Sequence, residues 1–175
     1  MANFKKIAPT ELLDNPFKLI GKDWMLLSSA NAGDGDVCGK DYNTMTASWG
    51  GVGILWEKPV AFIFVRPQRH TFGFTEENDT MTLSFFGGEY KKEMGFCGKN
   101  SGRDCDKMKE TGLTPEFAEG TVYIKEAKNV LILRTLAVTE MSPDSFLDKD
   151  IEPSCYPNKD YHIVYIAEIV KTLEK

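Results

Sequence analysis

No stretch of the sequence approaches the roughly 18 uninterrupted apolar residues of a membrane-spanning helix, so no such span is expected. The opening MANFKKIAP carries lysines without an apolar segment behind them, which predicts a soluble, cytoplasmic protein that is not exported. Excess positive charge is also lacking. At a formal net charge of -5, most of the surface repels a phosphate backbone or an anionic lipid face, so neither nucleic acid nor membrane is an expected partner. Histidine is scarce, with only His70 and His162, and the four cysteines (Cys38, Cys97, Cys105, Cys155) form no C-x-x-C pair. That spacing supports neither a metal site nor a disulfide framework, and free thiols in a reducing compartment are the expectation. There is no Ser-His-Asp order, paired-carboxylate pattern or Walker-type loop, so hydrolysis and phosphoryl transfer lack their parts. Redox chemistry through a bound cofactor is the enzymatic class that remains.

What is present suits one globular domain spanning 1–175, with 42% apolar and 27% charged residues. Residues 24–32, WMLLSSANA, read as a strand, and 33–42 as a surface turn rich in Gly and Asp. The turn's G-x-G-x-x-x-G spacing hints at a phosphate cradle, but Asp34, Asp36 and Asp41 would repel an anion. A Thr-, Trp- and Val-rich run over 43–56 follows, broken by Gly50, Gly51 and Gly53, and glycines inside strands mark bulges or close approach of a ligand. VAFIFV, residues 60–65, predicts a strand buried on both faces.

Thr71 reads as the N-cap of a helix over about 72–78. TMTLSFF then predicts a strand with Met81, Leu83 and Phe85 on an apolar face and Thr80, Thr82 and Ser84 on a polar one. Residues 89–97 and 103–111 look helical, TVYIKEA and VLILRTLAVTEM suit a long hairpin, 142–160 form an irregular excursion, and a last strand runs from His162 to Leu173. Six or seven strands without βαβ alternation predict an antiparallel barrel.

Three segments could carry chemistry. RPQRHT sets Arg66, Arg69 and Thr71 between a buried strand and a helix start, where arginine forks, a hydroxyl and free backbone N–H groups suit a phosphate; the same arginines also read as surface ion-pair partners. NTMTASWGG has small side chains that let a flat ring approach the backbone of Thr46, Ala47 and Ser48, with Trp49 as an aromatic wall or as core. FCGKNSGRDCDK ends a helix in a Gly-containing turn with Arg103 and Lys107 near it. Cys97 reads as a thiol beside a redox ring or as a small buried hydrophobe, and His162 as an acid or as a structural residue.

In this order NTMTASWGGVG, AFIFVRPQRHT, TLSFF, FCGKNSGRDCDKMKETGL and HIVYIAEI resemble the flavin reductase-like, FMN-binding split-barrel family, its flavoredoxin-type branch in particular, over about residues 20–173. The resemblance implies an all-β fold with a few short helices, a six-stranded antiparallel Greek-key split barrel, and a homodimer with FMN near the interface. It places Asn43, Met45, Thr46, Ala47, Ser48 and Trp49 against the isoalloxazine ring. Arg66, Gln68, Arg69 and Thr71, with Lys107, fall around the phosphate. Ser84, Phe85, Phe86, Cys97, Gly98, Ser101, Gly102 and Arg103 line the remaining ring and ribityl surface, and His162 is the catalytic candidate facing the nicotinamide side. The implied activity is an NAD(P)H-dependent flavin reductase passing electrons through FMN to a second acceptor. The alternative is a flavoredoxin-type carrier reduced by a redox protein partner, without NADH or NADPH turnover. The missing G-x-G-x-x-G does not decide between them, because split barrels do not use it.

Overall fold

The computed structural model describes residues 4–11, 15–31, 41–118 and 120–175. The turn at 33–40, with Cys38, lies outside them. In chain order the elements are β1 (Lys5–Ile7), α1 (Pro16–Gly21), β2 (Met25–Ala30), β3 (Tyr42–Ala47), β4 (Gly50–Leu55), β5 (Lys58–Val65), α2 (His70–Glu77), β6 (Thr80–Phe85), α3 (Lys91–Lys99), α4 (Lys107–Thr111), β7 (Pro115–Ala118), β8 (Thr121–Ile124), β9 (Asn129–Glu140), α5 (Ile151–Cys155) and β10 (Ile163–Glu174).

Seven strands lie side by side in the order β3-β2-β6-β9-β10-β5-β4, all antiparallel, and β1 pairs with the far end of β10. The two ends of this order, β3 and β4, are consecutive in the chain, joined only by Ser48 and Trp49. A two-residue link cannot cross an open seven-stranded sheet, whose strands lie roughly 4.8 Å apart, so the sheet must curl until its edges meet. They meet without pairing, and the barrel is split at that seam. Gly50, first residue of β4, turns the corner at φ 151°, and a Cβ there would stand 2.7 Å from the Phe62 carbonyl oxygen.

Side-chain alternation builds two cores. Leu27, Met45, Ile63, Leu83, Leu131 and Tyr165 belong to the apolar cluster that fills the barrel. Neighbours of opposite parity, including Leu26, Val130 and Ile132, pack with Met94, Met108 and Ile124 from α3, α4 and β8. The β7–β8 hairpin explains two departures from the sequence reading. TVYIKEA pairs with residues 115–118 and not with β9, whose hairpin partner is β10 across the 142–160 excursion. The small polar face of β6 is not solvated either: Thr82 donates to the Val122 carbonyl and Ser84 accepts from the Ile124 N–H. These hydroxyls stand in for backbone partners under the added hairpin. The excursion itself contains α5, and the described residues form ten strands where the sequence suggested six or seven.

Candidate functional site

Three neighbouring hollows, which share lining residues, lie along β3. The first, about 320 Å³, has a floor from Met45 to Trp49 and walls from Phe64, Arg66, Arg69 and His162. The second, about 120 Å³, shares Met45 and Arg69 and adds Asn43, Thr71, Cys97, Lys99, Ser101 and Lys107 among its walls. The third, about 520 Å³, shares Asn43 and Lys107 and runs along residues 102–108.

β3 is an edge strand here, which gives its backbone a function. Residues of an antiparallel strand direct both backbone polar groups to one side, alternately toward and away from the partner. The carbonyl of Thr44 accepts from the Lys107 ammonium at 2.8 Å, on the side away from β2. By the same parity the N–H and C=O of Thr46 face the open seam. The Thr46 hydroxyl is already used, donating to the Met94 carbonyl at 2.5 Å.

The second hollow is electropositive. Asp106 caps α4, accepting from the Met108 and Lys109 N–H groups, and so sets Lys107 at the first helical position pointing inward. The buried ammonium of Lys107 donates to the carbonyls of Thr44 and Cys97, and burial, reinforced by Arg69, pulls its pKa down. Arg69 ends the β5–α2 connection and donates to the Gly98 carbonyl at 3.0 Å. Among the described residues no carboxylate lies within ion-pair distance of Arg69, Lys99 or Lys107. Three cations thus line this small space beside the first turn of α2, which contributes His70 and Thr71 to its wall.

Arg66 is placed otherwise. Its guanidinium pairs with Asp160 at 2.6 Å, donates to the Cys155 carbonyl at 2.7 Å, and lies 5.1 Å from the centre of the Tyr156 ring. Gln68 also donates to Asp160. The two arginines of the motif therefore differ: Arg66 ties down the 142–160 excursion, whereas Arg69 has no carboxylate partner among the described residues. Thr71 is not the cap of α2, which starts at His70 with Arg69 as N-cap; it is buried in the first turn and accepts from the Asn43 amide at 2.8 Å.

His162 is buried in the wall of the first hollow, its Nδ1 2.7 Å from the Tyr156 hydroxyl and its ring 5.4 Å from Trp49. Burial, helped by Arg66, pulls its pKa down to about 4, so the ring is neutral at pH 7. Burial likewise pushes the Cys97 thiol up to about 11, which keeps it protonated and removes it as a nucleophile. Trp49 is 49% exposed, an open wall and not core. Gly98 packs on the Thr46 side chain, and a Cβ at Gly102 would overlap the Asn43 amide, so both glycines let the 98–103 turn lie close against β3. Arg103 donates to the Gln68 carbonyl from the third hollow. Ser84, Phe85 and Phe86 are all buried, Phe85 in the barrel and Phe86 in the outer core, and none is among the residues that line the three hollows.

Phe64, Lys99, Asn100 and Tyr156 complete the site and were not singled out from sequence. Lys99 and Asn100 sat inside a quoted motif, whereas nothing near Tyr156 marked it. No group of three metal-ligating side chains occurs among the described residues, and none of their helices is long and apolar enough to cross a membrane.

The family model described as "Flavin reductase like domain" matches residues 23–174, nearly the whole chain. The chain belongs to the flavin reductase-like family. Its fold is shared by the flavoredoxin of Desulfovibrio vulgaris (Miyazaki F), at 21% identity and TM-score 0.65 over 98% of this chain and 76% of that one. The flavoredoxin from Methanosarcina acetivorans aligns at 20% identity and TM-score 0.61, again over 98% and 76%. The Streptomyces globisporus NADH:FAD oxidoreductase SgcE6, solved with NAD and FAD fragments, aligns at 14% identity and TM-score 0.62 over 87% and 74%. No curated protein sequence matches. All these flavin reductase-like neighbours fall below 25% identity and share the split-barrel fold; in this member the seam, the cation-lined hollow and the clamped excursion are features of its own residues.

Proposed function

We propose that the protein binds FMN along the seam and passes electrons from NADH or NADPH through it to a second acceptor. The observation that carries this reading is the carboxylate-free hollow of Arg69, Lys99 and Lys107, which shares Met45 and Arg69 with the hollow along the strand-free edge of β3. Phosphate charge offsets the unfavourable burial of Lys107, the Thr46 backbone N–H and C=O match the donor and acceptor edge of an isoalloxazine, and Trp49 offers a ring face. Asn43 and Ser101, in the wall of the same hollow, would offer polar contacts to the ribityl chain. Bound there, FMN supplies hydride and single-electron chemistry; the protein supplies position and charge. Arg69 and Lys107 hold the phosphate end. His162 faces the cleft as a neutral donor, and the 142–160 excursion, pinned by Arg66, holds Tyr156 against it. The free thiols of Cys97, Cys105 and Cys155 suit a reducing cytoplasm.

We infer that the protein is a homodimer as well. β4 lies at one end of the strand order, and Ile54, Trp56 and Trp49 on and beside it are 69%, 56% and 49% exposed, an apolar group that a second copy would cover. The test of function is the visible spectrum of the purified protein, then anaerobic addition of NADH and of NADPH. Bleaching by either supports the reductase. Bleaching only by a reduced redox protein favours the flavoredoxin-type carrier, and failure to bind FMN sinks both.

A further inference from the structure

The 142–160 excursion sets one side chain behind the wall of the cofactor cleft, against His162. Tyr156 is buried, packed against Phe146 at 5.3 Å and Tyr161 at 5.4 Å between ring centres, with its hydroxyl 2.7 Å from His162 Nδ1. Arg66 grips the excursion on both sides of it, through the Cys155 carbonyl and the Asp160 carboxylate, so the phenol has no freedom to swing away. The other polar neighbour of that hydroxyl is the Met141 sulfur at 3.7 Å, a weak acceptor. A phenol with one proton to give, beside a thioether and an imidazole nitrogen, donates to the nitrogen. Nδ1 then carries no proton, and the proton of the neutral ring must sit on Nε2.

We propose that Tyr156 is a positioning residue that fixes His162 as its Nε2–H tautomer, so that the cleft is always offered a neutral N–H donor there. This deepens the flavin reading and rests on it for its use in binding, though not for its test. A donor of this kind can bond a carbonyl or ring nitrogen of an uncharged redox partner, such as a carboxamide, without placing a full positive charge beside Arg66 and Arg69. The charged and titratable groups facing His162 are those two arginines, Asp160 and Tyr156 itself; Phe64 and Trp49 supply the apolar contacts. Two cations against one carboxylate oppose ring protonation, in the same direction as the hydrogen bond to Nδ1.

Because the chain has only two histidines, nitrogen-15 NMR of histidine-labelled protein reads the tautomer directly, with His70→Gln assigning the signals. The expected wild-type pattern is a pyridine-like Nδ1 and a protonated Nε2. In Tyr156→Phe the two tautomers mix, and the titration midpoint of His162 moves up by roughly 0.5–1 unit, the scale of one lost hydrogen bond to the neutral form. Phe146→Leu loosens the same aromatic cluster but keeps the hydroxyl, so it should leave both readouts unchanged; if it reproduces the Tyr156→Phe result, the effect is packing and the proposal falls. A protonated Nδ1 in wild type, or no change in Tyr156→Phe, also overturns it. The tautomer is read with or without FMN, so a protein that shows Nε2–H but fails to bind added FMN would sink the flavin reading and leave the positioning role standing.

Discussion

Arg69 has a charge to place and no carboxylate to place it on, and that separates it from Arg66, which has Asp160. Arg69→Ala should therefore weaken FMN by on the order of 1.5–3 kcal/mol, one to two decades in Kd, while riboflavin affinity and turnover at saturating FMN hold. Arg69→Lys should recover only part, since the charge survives and the fork does not. Fluorescence titration of both flavins checks this; equal losses for the two would move the phosphate elsewhere. His162 gives a second outcome at this scale. Its pKa of about 4 in the folded state lies below the ordinary 6.5, so between those values the unfolded chain binds a proton that the folded one refuses. Its contribution is complete above pH 6.5 and is lost as pH falls toward 4, on the order of 2–3 kcal/mol. Urea unfolding from pH 7 to 4.5 should show this slope, and His162→Gln should flatten it. Burial lowers the pKa of His70 too, and hydrogen bonds from Lys58 and Arg134 lower that of Glu168, so a residual slope belongs to groups such as these. A slope unchanged in His162→Gln would show that the ring is solvated and titrates ordinarily.

At the scale of elements, the barrel depends on the corner between β3 and β4. Gly50→Ala places a Cβ against the Phe62 carbonyl in a conformation that L side chains rarely adopt, and should cost on the order of 1–3 kcal/mol and loosen the cleft floor. A thermal midpoint unchanged in that variant would show that the seam is not held there. The corner was partly legible: the glycines of 50–53 marked close approach, but a run read as one segment is two strands on opposite edges of the sheet. Strands that announce themselves by local pattern, such as 60–65 and 80–85, fall where the sequence puts them. Pairing is a long-range choice, and nothing local in TVYIKEA says that it turns back on 115–118. Ser84 shows the same gap at the site. Alternation gives two faces of β6, yet it does not say that a hairpin covers the polar one. The 98–103 turn was legible because glycine and charge stood together there, whereas Tyr156 lies in a segment without strand pattern, held by long-range contacts with Arg66 and His162 that no local signal announces.

For the whole molecule, apolar strand surface remains after both cores are filled. The exposed Ile54, Trp56 and Trp49 should be covered in a homodimer, and light scattering should give twice the 19.7 kDa chain mass. A monomer that still binds FMN tightly would show that the seam is complete in one chain. The net charge of -5 makes the cationic hollow a local exception on an acidic protein, so anion binding there reflects the site and not bulk attraction. The central claim is that this hollow holds the phosphate of a flavin, and the most direct measurement is calorimetric titration of the cofactor-stripped protein with FMN and with riboflavin in parallel. FMN should bind at least about tenfold more tightly, the margin of one charge-assisted contact, with the difference shrinking as salt rises. Equal affinities, or no binding of either, would contradict the account.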